Sequence, residues 1–81
     1  MGLYWFQVMT DNYDELCPSV PDFRGRLTDS VIEDVKKRAA ATIRANGLQT
    51  GCLAVNEGGD IIATYKVDCD DYKKSSTEAE L

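Results

Sequence analysis

The sequence predicts a small α+β domain in which one helix packs on one face of an antiparallel sheet of three to four strands. Three observations favour this fold class. Residues 3–10 are aromatic and β-branched as in a strand, residues 30–45 carry apolar side chains at helical spacing, and two alternating segments flank Gly58-Gly59. The predicted order is β-β-α-β-β. We assign residues 1–74 to a single domain and expect residues 75–81 to form a frayed polar tail.

The first predicted hairpin begins with a strand from Leu3 to Thr10. The polar residues 11–15 follow as a turn, because Asp and Asn side chains bond their own backbone. Leu16 to Val20 is predicted to return as a second strand. Pro18 cannot donate to a strand ladder, so this strand must lie at an edge or at a bulge. Residues 21–25 are then predicted to form a closing turn.

The helix is the clearest predicted element. Either Thr28 or Ser30 can cap its N-terminus, and the spacing of Ser30 and Glu33 fits a capping box. Asn46-Gly47 supplies its C-terminal stop. Its apolar stripe, which we expect to face the sheet, consists of Ile32, Val35, Ala39, Ala40 and Ile43.

A second hairpin is predicted from strands at residues 51–55 and 61–67. We favour a three-residue loop at residues 57–59, in which Gly59 takes the left-handed conformation that such loops require. A two-residue loop would pair Val55 with Ile62 and scatter the bulky side chains over both faces. The three-residue loop places the bulky residues on one core-facing side, namely Leu53, Val55, Ile61, Ala63, Tyr65 and Val67.

Histidine does not occur in the sequence, and this excludes several classes of site. Ser-His-Asp and Cys-His nucleophile systems require histidine, as do the zinc sites that use it as a ligand. We therefore predict no catalytic residue, no metal ligand and no cofactor. The chain is expected not to be an enzyme.

The cysteines and the N-terminal residues bear on the cellular compartment. Cys17, Cys52 and Cys69 form no Cys-x-x-Cys pair, so we expect reduced thiols in a cytoplasmic protein, with a Cys52–Cys69 bridge as the alternative. The chain begins with no basic leader, and no apolar run approaches the ~18 residues of a membrane span. We expect a soluble, unexported chain without a membrane partner.

The net charge of −5 is unevenly distributed along the chain. Residues 11–22 carry −4, residues 23–47 carry +3 and residues 48–81 carry −4. Such a field repels nucleic acid and attracts basic protein surfaces, so we predict a basic protein partner and no direct nucleic-acid binding. The acidic residues predicted to contact this partner are Asp11, Asp14, Glu15, Asp68, Asp70 and Asp71. The alternative interpretation is that these charges only keep the protein soluble.

Trp5 is the candidate anchor of a binding surface. The first strand is largely apolar on both sides, with Tyr4, Phe6 and Val8 on one side and Leu3, Trp5, Gln7 and Met9 on the other. One helix covers only one face of a sheet. The other face is exposed unless residues 16–27, a second copy of the chain or a partner covers it.

Residues 4–45 resemble the N-terminal domain of HicB-type antitoxins. The matching stretches are Tyr4 to Met9, Asp11 to Glu15, Val20 to Gly25 and Asp29 to Asp34. In that family they correspond to an aromatic first strand, an acidic turn, a Pro-Asp-x-x-Gly turn and a helix opened by Asp-Thr/Ser-x-x-Glu. The resemblance implies a partial RNase H-like fold that blocks a small basic ribonuclease toxin. It carries over no catalytic residues.

Three hypotheses for the function follow. The first is a non-enzymatic, antitoxin-like inhibitor that occludes a basic toxin or nuclease. The alternative is a phage-encoded anti-defence inhibitor of the anti-CRISPR kind, directed at a nucleic-acid-guided nuclease. The second alternative is a structural subunit that self-associates through its first strand, as a homodimer would.

Overall fold

The computed structural model describes residues 2–72, and the predicted polar tail at residues 75–81 lies outside them. The elements are β1 (Gly2–Met9), β2 (Phe23–Gly25), α1 (Asp29–Ala45), β3 (Thr50–Glu57), β4 (Asp60–Asp68) and a final 3₁₀ turn (Cys69–Tyr72). The strands form one antiparallel sheet in the order β2-β1-β3-β4, and α1 packs on it. The predicted α+β class and the order β-β-α-β-β are confirmed.

The helix ends where the sequence predicts and begins at the first of the two predicted caps; Ser30, the other candidate and the start of the predicted capping box, lies inside the helix. Thr28 is the N-cap, and its Oγ1 accepts a hydrogen bond from the backbone N–H of Val31 at 3.3 Å. Asn46 is the C-cap, and Gly47 has the positive φ of 76° that commonly follows a helix. The whole predicted apolar stripe is buried, together with Thr42. The Thr42 hydroxyl satisfies its hydrogen bond by donating to the carbonyl of Pro18 at 2.7 Å.

The core lies between α1 and the sheet face that carries Phe6 and Val8. Small side chains on the helix, such as Ala39 and Ala40, allow a close approach to the sheet and are fully buried. The residues of this core are Phe6, Val8, Leu16, Val20, Ile32, Val35, Ala39, Ala40, Ile43, Leu53, Val55, Val67 and Cys69. A single core of this kind is consistent with one domain.

The prediction for the second strand is wrong. Met9 bridges Glu15, and Leu16 N–H donates to Val8 O at 2.8 Å, but the chain then leaves the sheet. Leu16 and Val20 turn into the core under α1, and the Pro18 carbonyl bonds to the helix instead of to a strand. The strand that pairs with β1 on the side away from β3 is β2, at residues predicted to form a turn.

The second hairpin has a two-residue loop, not the predicted three-residue loop. Glu57 pairs with Asp60, and Gly58 and Gly59 between them both have positive φ, of 59° and 88°. A bulge at Ile62 then shifts the register by one residue. The pairs beyond the bulge are Val55 with Ala63, Leu53 with Tyr65 and Gly51 with Val67.

This bulge restores most of the predicted core face. Leu53, Val55 and Val67 are buried against the helix, and Ala63 and Tyr65 pack beside them. The placement of Ile61 on that face is wrong. Ile61 pairs with Asn56, on the opposite side of the sheet, and is 56% exposed.

Gly51 allows β1, β3 and α1 to meet. A Cβ atom at this position would lie 2.6 Å from Met9 O and 2.8 Å from Ile43 Cδ1. We expect Gly51→Ala to lower the free energy of unfolding by at least about 2 kcal/mol, because backbone and a buried side chain must both move. Gly59→Ala, a control with open space around its Cβ but a φ of 88°, should cost only about 1–2 kcal/mol. Urea unfolding measures both; equal stabilities of Gly51→Ala and the wild type would contradict this packing.

Candidate functional site

Within residues 2–72, no helix or strand packs on the sheet face opposite α1, although the turn after β1 reaches its edge where Asp11 bonds to Thr50 and Lys66. Residues 16–27 do not cover it, because Leu16 and Val20 lie in the core on the helix side and Phe23–Gly25 joins the sheet edge. We call this surface the open face. The strand register assigns to it Leu3, Trp5, Gln7, Met9, Thr50, Cys52, Ala54, Asn56, Ile61, Thr64, Lys66 and Asp68.

One end of the open face is apolar. Trp5 and Ile61 lie on either side of Asn56 in neighbouring strands, and Trp5 is 37% exposed. Asn56 is only 2% exposed, and its Nδ2 donates to Gln7 Oε1 at 3.3 Å and to Trp5 O at 3.5 Å. We call the exposed apolar residues around it the apolar end: Leu3, Trp5 and Ile61. They form a hydrophobic patch around the Asn56 amide, which already has its hydrogen-bond partners within the sheet.

The other end of the open face is acidic. In this antiparallel sheet the last residue of β1, the first of β3 and the last of β4 all lie at the same end. The turn after β1 and the turn after β4 therefore lie at the same end of the sheet, with the start of β3 between them. We call their carboxylates the acidic end: Asp11, Asp14, Glu15, Asp68, Asp70 and Asp71. The structure brings Asp11 and Asp68 together beside Thr50, whereas the 3₁₀ turn that carries Asp70 and Asp71 packs against α1.

Hydrogen bonds hold the acidic end together. Asp11 accepts from Lys66 Nζ at 2.7 Å and from Thr50 Oγ1 at 2.6 Å, which ties the turn to β3 and β4. Asp68 pairs with Thr50 in the ladder and accepts from Gln49 Nε2 at 2.9 Å. The same Asp68 carboxylate accepts from the backbone N–H of Asp70 at 2.9 Å. Asp11 and Asp68 are consequently fixed in position by the fold.

These contacts also set the protonation of the acidic end. The hydrogen bond from Lys66 lowers the pKa of Asp11 most, and the one from Thr50 adds to it. The backbone N–H of Asp70, followed by the Gln49 amide, lowers the pKa of Asp68. The Asp11 carboxylate in turn raises the pKa of Lys66. Asp11 and Asp68 are therefore ionised at neutral pH.

The turn after β1 presents an aromatic ring that the sequence analysis did not select. Thr10 Oγ1 accepts from the backbone N–H groups of Asn12 and Asp14, each at 3.1 Å, and so folds the turn tightly. Tyr13, at its tip, has a φ of 67° and is 69% exposed. A signal was present in the sequence, because Tyr13 is the one aromatic residue among the polar residues 11–15 of the predicted turn. Tyr13 lies next in sequence to Asp14 and Glu15 and joins the candidate site.

The structure does not place Trp5 beside the acidic residues. Trp5 precedes Met9 by four positions, about 13 Å along an extended strand. Both ends share the open face, with Gln7, Cys52, Ala54 and Thr64 between them. The surface is therefore a strip with a hydrophobic end and a negatively charged end, not one compact cluster.

Within residues 2–72, no group of three cysteine or carboxylate side chains is arranged to hold a metal ion. The three cysteines are free thiols. The Cys69 thiol is buried and donates to the carbonyl of Ala40 at 3.3 Å, Cys52 is half-buried on the open face, and Cys17 is exposed. What the open face offers a ligand is therefore an apolar contact surface at one end and carboxylate charge at the other.

Comparison with known proteins provides no relative from which a role for this site could be inferred. No protein-family model, no curated protein and no solved structure matches the chain. In the part of the chain that the structure describes, no helix is both long enough and apolar enough to cross a membrane.

Acid should weaken the fold through Asp11 and Asp68. Their lowered pKa values mean that their stabilisation is complete above the unfolded-state pKa of about 4 and is lost as the pH falls through the folded-state pKa. In Asp11→Asn, the loss of unfolding free energy relative to wild type should be largest at pH 6 and should shrink by pH 2.5. Urea unfolding over this pH range measures it.

The matched control is Asp14→Asn, since the Asp14 carboxylate makes no ion pair or hydrogen bond within residues 2–72. Its difference from wild type should stay small at every pH. If the difference between Asp11→Asn and wild type were the same at pH 6 and at pH 2.5, the role given to the Asp11 contacts would be wrong.

Proposed function

We propose that this chain is a non-enzymatic inhibitory protein that docks the open face of its sheet against a basic, nucleic-acid-handling protein. It acts in the cytoplasm by occlusion and needs no cofactor. The observation that carries the proposal is the open face itself, which bears an exposed tryptophan at one end and a set of carboxylates at the other. Proteins that bind others commonly combine a buried aromatic anchor with charges that guide the encounter.

The acidic end supplies complementarity to a surface that binds phosphates. It holds six carboxylates, and the cation bonded to it in the described residues is Lys66. A protein that handles nucleic acid presents lysine and arginine side chains where the phosphates lie, and carboxylates can occupy those positions. The same charge disfavours direct binding to nucleic acid and to anionic membranes. Occupation of the phosphate-binding surface would inhibit such a partner without any chemistry.

The apolar end supplies the surface that is desolvated on binding. The nine residues of β4 span about 30 Å, and the four strands span about 15 Å, which gives the face a flat area of roughly 450 Å². A standard interface buries about 800 Å² on each partner, so the turns at the acidic end must contribute as well. Trp5 is the residue on this face with the largest apolar side chain, and it is the proposed anchor.

Two partner classes fit this description. The resemblance of residues 4–45 to HicB-type antitoxins favours a small basic ribonuclease toxin. A nucleic-acid-guided nuclease, inhibited by a phage-encoded anti-defence protein of the anti-CRISPR kind, has the same surface chemistry. The genes next to this one distinguish the two classes, because a short basic toxin gene would favour the first and a phage operon the second.

Self-association is the remaining candidate. The exposed apolar end favours it, since a second copy could cover Leu3, Trp5 and Ile61. The net charge of −5 on each copy opposes it. Light scattering at high protein concentration separates the two functions, and a monomer would exclude the self-associating subunit.

Charge reversal at the turn tests the electrostatic part of the proposal. A partner is first captured from host lysate at low and high salt and then purified. Asp14→Lys/Glu15→Lys should slow its association by about tenfold and make the rate less sensitive to salt, because steering by these charges is lost. Surface plasmon resonance at several salt concentrations measures the rate.

The control, Asp22→Lys/Asp29→Lys, changes the net charge equally at exposed positions near β2 and the helix N-terminus, away from the acidic end. Its association rate should change less than threefold. Equal slowing by both double variants would mean that overall charge, and not the acidic end, guides binding.

Removal of the Trp5 ring tests the apolar part. Trp5→Ala should weaken binding by at least tenfold, mainly by faster dissociation, while the protein stays folded because the ring already lies partly in solvent. Val31→Ala, a half-buried apolar residue on α1, is the control and should leave the affinity within about twofold. Calorimetry with the purified partner measures both affinities. Unchanged binding by Trp5→Ala would remove Trp5 from the site.

A further inference from the structure

The two edges of the sheet are unequal. At one edge β2 is only three residues long, and Leu16 N–H donates to Val8 O where β2 no longer pairs with β1. At the other edge β4 is nine residues long. Within residues 2–72, no strand or loop pairs with its outer side. One edge is thus short and partly closed, and the other is long and open.

The ladder fixes which groups of β4 point outward. Cys69 N–H donates to Gln49 O at 2.9 Å, directly beyond the pair of Thr50 and Asp68. Hydrogen-bonded and non-bonded pairs alternate along an antiparallel ladder, so Val67 and Tyr65 bond to β3. The backbone N–H and C=O groups of Thr64, Lys66 and Asp68 therefore point away from the sheet. Those of Thr64 and Lys66 form a row of unused donors and acceptors, whereas the Asp68 carbonyl begins the 3₁₀ turn at Cys69–Tyr72.

This edge lacks most of the features that usually protect an exposed strand. No proline interrupts β4, and the bulge at Ile62 disturbs only its hairpin end. Its one lysine, Lys66, is bonded to Asp11 at 2.7 Å and so does not project as a free charge. Residues 63–68 remain as a regular edge, and the carboxylates of Asp68 and the two acids after it lie at its end.

We propose that this edge is a docking site at which an extended basic segment of the partner protein adds to β4 as a fifth strand. This deepens the function proposed above and rests on it. The backbone groups of residues 64–68 supply the hydrogen bonds of such an addition. The charge selects the occupant, since lysine or arginine side chains at the end of the added strand would face Asp68, with Asp70 and Asp71 in the turn that follows. A second copy fits less well, because full antiparallel overlap of two β4 strands sets Asp60 opposite Asp68.

A synthetic peptide tests the edge directly in the full chain labelled with ¹⁵N. The probe alternates threonine and valine and carries a lysine at each end, and the matched control carries glutamate at both ends. The amides of Thr64 and Lys66 should exchange rapidly in the free protein. The lysine peptide should slow their exchange by about tenfold or more, and the glutamate peptide should not.

Two substitutions at one position separate backbone pairing from side-chain contact. Thr64→Pro removes an outward N–H without removing a bond to β3, so binding of the lysine peptide should fall by about tenfold. Thr64→Val keeps that N–H and should bind as the wild type does. Thermal unfolding checks that both variants fold. If Thr64→Pro does not fold, amide exchange in the wild-type chain still tests whether the peptide binds the edge of β4.

Several outcomes would overturn the docking edge. These are slow exchange of the Thr64 amide in the free protein at all concentrations, slow exchange that appears only as a dimer forms, and failure of the lysine peptide to protect this amide. The function proposed above fails separately. It falls if the turn variants and Trp5→Ala leave binding of the captured partner unchanged, whatever happens at Thr64.

Discussion

A single helix covers only one face of a four-stranded sheet. The properties of the rest of the molecule follow from this difference between a covered and an uncovered face. The 17 residues of α1 span about 25 Å, close to the length of the longest strand, so the covered face is sealed along its length. The close contact at Gly51, where β1 and Ile43 leave no space for a side chain, holds that side together. The opposite face must then be stable in water without a second layer.

The open face meets this requirement with an uneven composition. Its centre is built of small or polar residues, and Ala54 is fully buried between Gln7 and Thr64 although no layer covers it. Asn56 satisfies its amide within the sheet. On this face the exposed apolar residues Leu3, Trp5 and Ile61 lie at one end, and Asp11 and Asp68 lie at the other. Such a surface is stable without a partner and still has hydrophobic area to bury when a partner binds.

The acidic residues divide into two roles. Asp11 and Asp68 are held by Lys66, Thr50 and Gln49, so their first role is to join the turns to the sheet. Asp14 and Glu15 remain exposed on the turn that also presents Tyr13. The proposed steering of a partner therefore falls mainly on these exposed carboxylates, whereas reversal of Asp11 would disturb the fold itself. The sequence alone did not distinguish these two roles, and all six acids were predicted to contact the partner.

Much of the fold could be predicted from local patterns, and the errors come from interactions distant in sequence. The helix, with its Thr28 cap and its Asn46-Gly47 end, follows from local chemistry. The strand predicted at residues 16–20 failed because the Pro18 carbonyl bonds to Thr42 of α1, 24 residues away. The second hairpin differs from the prediction because of the bulge at Ile62. The spacing of apolar residues in a sequence does not reveal such a bulge. The neighbouring positions of the acidic segments could have been deduced from antiparallel connectivity, whereas the protrusion of Tyr13 depends on the backbone of one turn.

The most direct test uses Trp5, because it is the only tryptophan in the chain. Incorporation of 5-fluorotryptophan gives a single ¹⁹F resonance on the open face, which is measured with and without the purified partner. We predict that the resonance shifts and loses its solvent isotope effect when the complex forms. A complex that forms while this resonance keeps its position and its exposure to water would contradict the claim that the open face is the binding surface.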